Sequence, residues 1–163
     1  MLKRIIISAE CAAAVGAALA IGAGAGRAAS APATAAQYRS QVNALCRSYT
    51  PKFKQVEADM ARAKAAGNSQ RYLYDFGVIV GMGLAEGTRL ERAPLPLTGA
   101  ASFVKPLRLL HAVDVQLRKM LASLVARDSA ALLSESAALS KIAAPLNRLL
   151  DGAGLRDCGS NQT

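Results

Sequence analysis

The sequence has few of the residue types from which cofactor and metal sites are built. Its 163 residues include no tryptophan and one histidine, and aromatic residues make up 4% of the chain. So few aromatic side chains argue against a large aromatic pocket of the kind that many cofactors occupy. His111 stands outside any zinc, haem or di-iron motif, so we predict no metal site and interpret His111 and Asp114 as a surface pair.

Catalytic patterns are also missing. There is no glycine-rich phosphate loop after a strand, no Gly-x-Ser-x-Gly turn and no visible pair of carboxylates for acid–base chemistry. The acids are scattered, and most have a basic neighbour at helical spacing, as Asp59 and Arg62 do. We therefore expect a protein that is not an enzyme and that carries no cofactor.

The first 35 residues have the layout of a signal peptide. Lys3 and Arg4 precede a mostly apolar run from 5 to 26, and a small, flexible stretch follows. Ala33-Thr34-Ala35 has the small-x-small form that signal peptidase requires, so we predict cleavage after Ala35. The domain would then span 36–163 and be secreted or extracytoplasmic. An uncleaved membrane anchor is the alternative.

Four amphipathic helices are predicted after the leader. In each, apolar residues recur at steps of three and four, the spacing of one buried helix face. The predicted ranges are 37–66, 69–92, 102–126 and 129–150. Short connections between four such helices predict an all-α, up-down-up-down four-helix bundle. No segment alternates with period two for long enough to form a strand.

Prolines fall inside the predicted first and last helices. The apolar stripe of the first helix stays in phase across Pro51, which favours a kink over a break, although Thr50 would also serve as the cap of a new helix. Pro145 predicts a kink in the last helix. The segment 95–99 matches the cell-wall sorting pattern L-P-x-T-G, but an amphipathic helix follows it, so we interpret it as a turn.

The second helix contains glycines where helices normally avoid them, because each costs about 1 kcal/mol relative to alanine. They form two pairs spaced by four residues, Gly77 with Gly81 and Gly83 with Gly87. This spacing predicts a notch in which another helix approaches closely. A membrane helix pair is the rival interpretation, but the uncharged run between Asp75 and Glu86 is too short to span.

Two cysteines remain once the leader, with Cys11, is set aside. Cys46 lies in the first helix and Cys158 follows the last one. An exported chain meets oxidising conditions, and the termini of an up-down-up-down bundle meet at one end. We therefore predict a Cys46–Cys158 disulfide that closes the bundle. Two free thiols are the alternative.

The formal net charge of +9 favours anionic partners, such as an acidic envelope polymer or a membrane surface. No nucleic-acid-binding module is recognisable, and export argues against such a role. We expect a monomer. The leading function is a non-enzymatic binding or interaction protein of the cell envelope or medium. The alternatives are a bundle tethered by an uncleaved leader and a carrier of a ligand in the bundle core.

Two short motifs resemble those of a group of small, exported, uncharacterised helical proteins of actinobacteria. They are Tyr38-x4-Asn43-x2-Cys46 near the start of the domain and Gly154-Leu155-x2-Cys158 at its end. The resemblance implies an exported bundle with a bridge between Cys46 and Cys158, and it implies no known activity.

Overall fold

The computed structural model describes residues 31–159, which form four α-helices and one short 3-10 turn. The helices are α1 (Ala35–Ala65), α2 (Ser69–Arg92), α3 (Ala101–Ala126) and α4 (Ser129–Gly152), and the turn is Arg156–Cys158. No strand occurs in this described part of the chain. The predicted all-α bundle of four helices is confirmed, and the bounds of α2 agree at both ends.

Side-chain caps explain where three of the helices begin. Asn68 accepts a hydrogen bond from the backbone N–H of Arg71 at 3.0 Å, and Asp128 accepts one from that of Ala131 at 2.9 Å. Thr34 and Gln37 form a reciprocal capping box at the start of α1. Each cap satisfies backbone donors that have no partner inside the helix.

The first helix is continuous through Pro51, so the alternative of a break there is excluded. Thr50 does not cap a new helix, because its hydroxyl donates to the carbonyl of Cys46 in the preceding turn, at 3.4 Å. The last helix likewise runs through Pro145. Kinks at these two prolines stay predictions.

Consecutive helices pack side by side, but α1 and α4 do not pack directly on each other. The 3-10 turn lies against both and bridges them. Cys158 in this turn forms a disulfide with Cys46 of α1, with their Cα atoms 5.1 Å apart. The predicted disulfide is therefore confirmed, and it fixes the tail in the gap between the first and last helices.

Hydrogen bonds from one face of α1 hold the same tail. The Arg39 side chain donates to the carbonyl of Ala153 at 2.7 Å, and the Asn43 amide donates to that of Gly154 at 2.9 Å. The carbonyl oxygen of Asn43 also accepts from the backbone N–H of Asp157 at 3.2 Å. The two short sequence motifs thus meet in space, because Asn43 and Cys46 both bind the segment that follows Gly154.

Two apolar clusters form the core. The first collects residues from all four helices and the tail around Tyr38, Phe103 and Leu155. The second contains Val80, Leu117 and Met120 and includes no residue of α1. The second half of the α1 stripe is accordingly only half-buried, at Phe53, Val56 and Met60.

The segment before α1 belongs to the folded unit. Pro32 is buried, and its carbonyl accepts a hydrogen bond from the backbone N–H of Leu97 at 3.0 Å. The Thr98 hydroxyl donates to the carbonyl of Ala33 at 3.1 Å. The predicted cut after Ala35 would remove both hydrogen bonds and the capping residue Thr34. The L-P-x-T-G segment therefore serves as the loop that holds residues 32–33.

Within residues 31–159, none of the helices combines the length and the apolar character that crossing a membrane requires.

Candidate functional site

Two of the four glycines of α2 face α3 closely. A Cβ built on Gly83 would lie 3.1 Å from Cδ1 of Leu117, and one built on Gly87 would overlap the carboxylate of Asp114. Among the described residues, nothing lies within 4 Å of the same position at Gly77 and Gly81. The close approach between helices is therefore at Gly83 and Gly87, and Gly77 and Gly81 take no part in it.

Substitution of Gly87 and Gly81 by alanine should have opposite effects on stability. Gly87→Ala is expected to lower the free energy of unfolding by about 1–3 kcal/mol, because its methyl group must displace the Asp114 carboxylate. Gly81→Ala is the matched control and should raise it by about 1 kcal/mol through helix propensity alone. Urea denaturation of both variants measures the difference, and a stabilising Gly87→Ala would contradict the close contact.

Asp114 is the buried acid against which Gly87 packs. Only 3% of its surface is exposed, and its Oδ1 atom has no hydrogen-bond partner among the described residues. Burial raises the pKa of this carboxyl above its ordinary value, and Glu91 adds to the effect. Arg118 and His111 act in the opposite direction. The fold therefore favours the neutral form of this acid more than water does, and one of its oxygens is left without a hydrogen bond from residues 31–159.

The predicted surface pair of His111 and Asp114 is wrong. Nδ1 of His111 lies 3.0 Å from Oε1 of Glu91, across the α2–α3 interface, and the imidazole is exposed. Asp114 instead points at the backbone of Gly87. Asp114 is buried between α2 and α3 because Gly87 has no side chain to fill that space.

Neutralising Asp114 should flatten the dependence of stability on pH. As pH rises from 3.8 through the raised folded-state pKa, the folded protein binds this proton more tightly than the unfolded chain, so stability falls. Asp114→Asn removes the pH dependence that this carboxyl contributes. The free energy of unfolding of the variant, relative to that of the wild type, should increase as the pH rises through this range and then level off. Urea denaturation of both proteins from about pH 4 to pH 7 measures it, whereas a constant difference would refute the argument.

Other buried polar groups are satisfied within the fold. The guanidinium of Arg71 binds Asp75 at 2.8 Å, and Ser123 donates to Glu135 at 2.9 Å. Gln116 donates to the backbone carbonyl of Glu135 at 3.1 Å. No group of three or more potential metal ligands occurs among residues 31–159. No sequence pattern marks these polar residues as buried, although the glycines of α2 indicated where the helices approach closely.

A shallow groove lies between the first half of α3 and the second half of α4. It has a volume of about 500 Å³ and is lined by Lys105, Arg108, Leu109, Pro145, Arg148 and Leu149. A contiguous depression of about 310 Å³ shares three of these residues and extends toward Ala101 and Gly152. This α3–α4 groove has an apolar floor and a rim of cations. It is the candidate site, and no sequence motif marks it.

No protein-family model, curated protein or solved structure matches the chain. The resemblance to exported actinobacterial proteins therefore stays a prediction.

Proposed function

We propose that this chain is an extracytoplasmic binding protein, without a catalytic role, that binds an anionic component of the cell envelope. The disulfide is consistent with a location outside the cytoplasm, where thiols are not kept reduced. The signal-peptide pattern of residues 1–35 supports export, and it lies outside the described residues except for 31–35.

The observation that carries the proposal is how the fold uses its charges. Most acids already have partners or are buried: Asp75, Glu86 and Asp114 are buried, Asp59 and Asp157 pair with arginines, and Glu91 contacts the imidazole of His111. Asp128 caps α4, Glu135 accepts from Ser123, and Glu86 and Asp151 also have partners. Three described acids are exposed, Glu57, Glu91 and Asp128, and of these only Glu57 has no hydrogen bond or ion pair among residues 31–159.

Most cations, in contrast, are exposed and have no ion-pair partner among residues 31–159. They are Lys52, Lys54, Lys64, Arg89, Arg92, Lys105, Arg108, Arg118, Lys119, Arg127, Lys141, Arg148 and Arg156. The unpaired charge on the described surface is therefore mostly positive. Such a surface attracts polyanions and anionic lipid head groups.

The test is salt-dependent binding to two anionic probes, phosphatidylglycerol vesicles and soluble polyphosphate. We expect binding to at least one of them in about 20 mM salt, weakened strongly near 0.3 M because exposed charges are screened. Phosphatidylcholine vesicles are the neutral control. Failure to bind either anionic probe, or equal binding to the neutral vesicles, would overturn the proposal.

One observation favours the alternative of a ligand carried in the bundle core, namely the unsatisfied Oδ1 of buried Asp114. However, the backbone of Gly87 occupies the space beside this carboxylate. A core ligand would need that space, so the surface function is the better supported of the two.

A further inference from the structure

The α3–α4 groove combines apolar surface with positive charge. Its floor is formed by Leu109, Pro145 and Leu149, each only partly covered by the fold. Its rim carries Lys105, Arg108 and Arg148, all of which are exposed. No acid lines either part of the groove. A ligand that fills it therefore meets apolar surface and positive charge together.

The sequence explains why the same chemistry faces the groove from both helices. Arg108-Leu109 on α3 and Arg148-Leu149 on α4 are both Arg-Leu pairs, and each follows a proline at close spacing, Pro106 and Pro145. Because α3 and α4 are adjacent and antiparallel, the two pairs line the same groove from opposite helices. Lys105 lies one turn before Arg108 on the same face of α3 and adds a third cation.

The rim cations are available to a ligand. Among the described residues, none of the three takes part in an ion pair, whereas Arg47, Arg62 and Arg71 elsewhere on the surface are paired. Guanidinium groups bind phosphate oxygens through two parallel hydrogen bonds, and an ammonium adds a point charge. Arg108 and Arg148 line the groove from opposite helices and offer this binding mode to a phosphate group in it.

We propose that the α3–α4 groove binds a single-chain anionic lipid, with its phosphate head group on the cations and its hydrocarbon chain along the apolar floor. This inference rests on the proposed function and names its ligand. Charge complementarity selects an anion, and the apolar floor selects a lipid over a polyanionic polymer, which has no chain to cover Leu109 and Leu149. The volume of about 500 Å³ lies within the range of small-ligand sites.

The experiment titrates the full folded domain with monomeric lysophosphatidylglycerol, below the concentration at which it forms micelles, by isothermal calorimetry. Lysophosphatidylcholine and glycerol phosphate are the comparison ligands. We expect the anionic lipid to bind at least about tenfold more tightly than either comparison ligand. Only the anionic lipid has both a net negative charge for the rim cations and a hydrocarbon chain for the apolar floor. Equal binding of the zwitterionic lipid, or of the head group alone, would overturn the proposal.

A matched pair of variants locates the binding. R108Q/R148Q should weaken binding by at least about tenfold, and R92Q/R127Q, which removes the same charge from exposed arginines outside the groove, should change it by less than about threefold. Circular dichroism checks that both variants are folded. Equal losses in the two variants would place the lipid elsewhere and overturn the assignment.

The two proposals fail differently. If the wild type binds anionic vesicles or polyphosphate but not the lysolipid, the groove assignment falls and the proposed function stands. If it binds none of these probes, both fall.

Discussion

Reduction of the Cys46–Cys158 disulfide is expected to lower the free energy of unfolding by as much as about 4–5 kcal/mol, the effect of opening a loop with a sequence separation of 112 residues. The physical reason lies mainly in the unfolded chain, which gains conformational freedom when its two ends are released. Both cysteines are buried, so the folded protein protects the bond from reductant until it opens. Urea denaturation with and without reductant measures the loss.

A variant that keeps the covalent loop provides the control. Asn43→Ala removes two hydrogen bonds to the tail but leaves the disulfide, and it should cost about 1–3 kcal/mol. C46A/C158A should reproduce the effect of reduction, apart from the packing lost with two buried sulfurs. If the reduced protein and the oxidised protein unfold at the same urea concentration, the bridge does not stabilise this bundle.

Phe103→Ala is expected to cost about 3–5 kcal/mol, the range for removing a fully buried phenylalanine. Phe103 has no exposed surface, and its ring centroid lies 4.5 Å from that of Tyr38. The guanidinium of Arg39 lies 5.6 Å from the same ring. The truncation thus leaves a cavity in the first apolar cluster and also removes contacts between α1 and α3.

The neighbouring residue supplies the matched control. Val104 is 45% exposed, so Val104→Ala should change the free energy of unfolding by no more than about 0.5 kcal/mol. Both variants alter the same turn of α3 and have similar effects on helix propensity, so the difference between them reports burial. Comparable losses in the two variants would contradict the placement of Phe103 in the core.

The helices were predictable because local chemistry determines them. Apolar residues at steps of three and four mark each helix, and Asn68 and Asp128 are side chains that cap a helix start. The cysteines were predictable for a different reason: once the leader is set aside, Cys46 has one partner. The helix prediction is independent of how the helices pack, whereas the disulfide prediction also used the shared end of the two termini in an up-down-up-down bundle.

What covers an apolar face was not predictable. The stripe of α1 continues in phase from Tyr38 to Met60, yet only its first half is well buried, because the tail fills the gap to α4 at that end alone. Periodicity shows which face of a helix is apolar and does not show what packs on it. The same limit applies to the four glycines of α2: their spacing is the same in both pairs, but only Gly83 and Gly87 face α3.

The candidate site was even less accessible to sequence reasoning. Arg108 and Arg148 are 40 positions apart and looked like ordinary surface charges. They line one groove only because α3 and α4 form an antiparallel pair, and neither has an ion-pair partner among residues 31–159. The burial of Asp114 has a similar origin, since it depends on the missing side chain of Gly87 on another helix.

The position of the disulfide also determines what proteolysis would do to this molecule. All three connections between the helices, at 66–68, 93–100 and 127–128, lie between Cys46 and Cys158. A protease that cuts any of them therefore leaves two fragments joined by the disulfide bond. The nicked protein keeps the mass of the intact one, apart from one added water, and separates into pieces only after reduction.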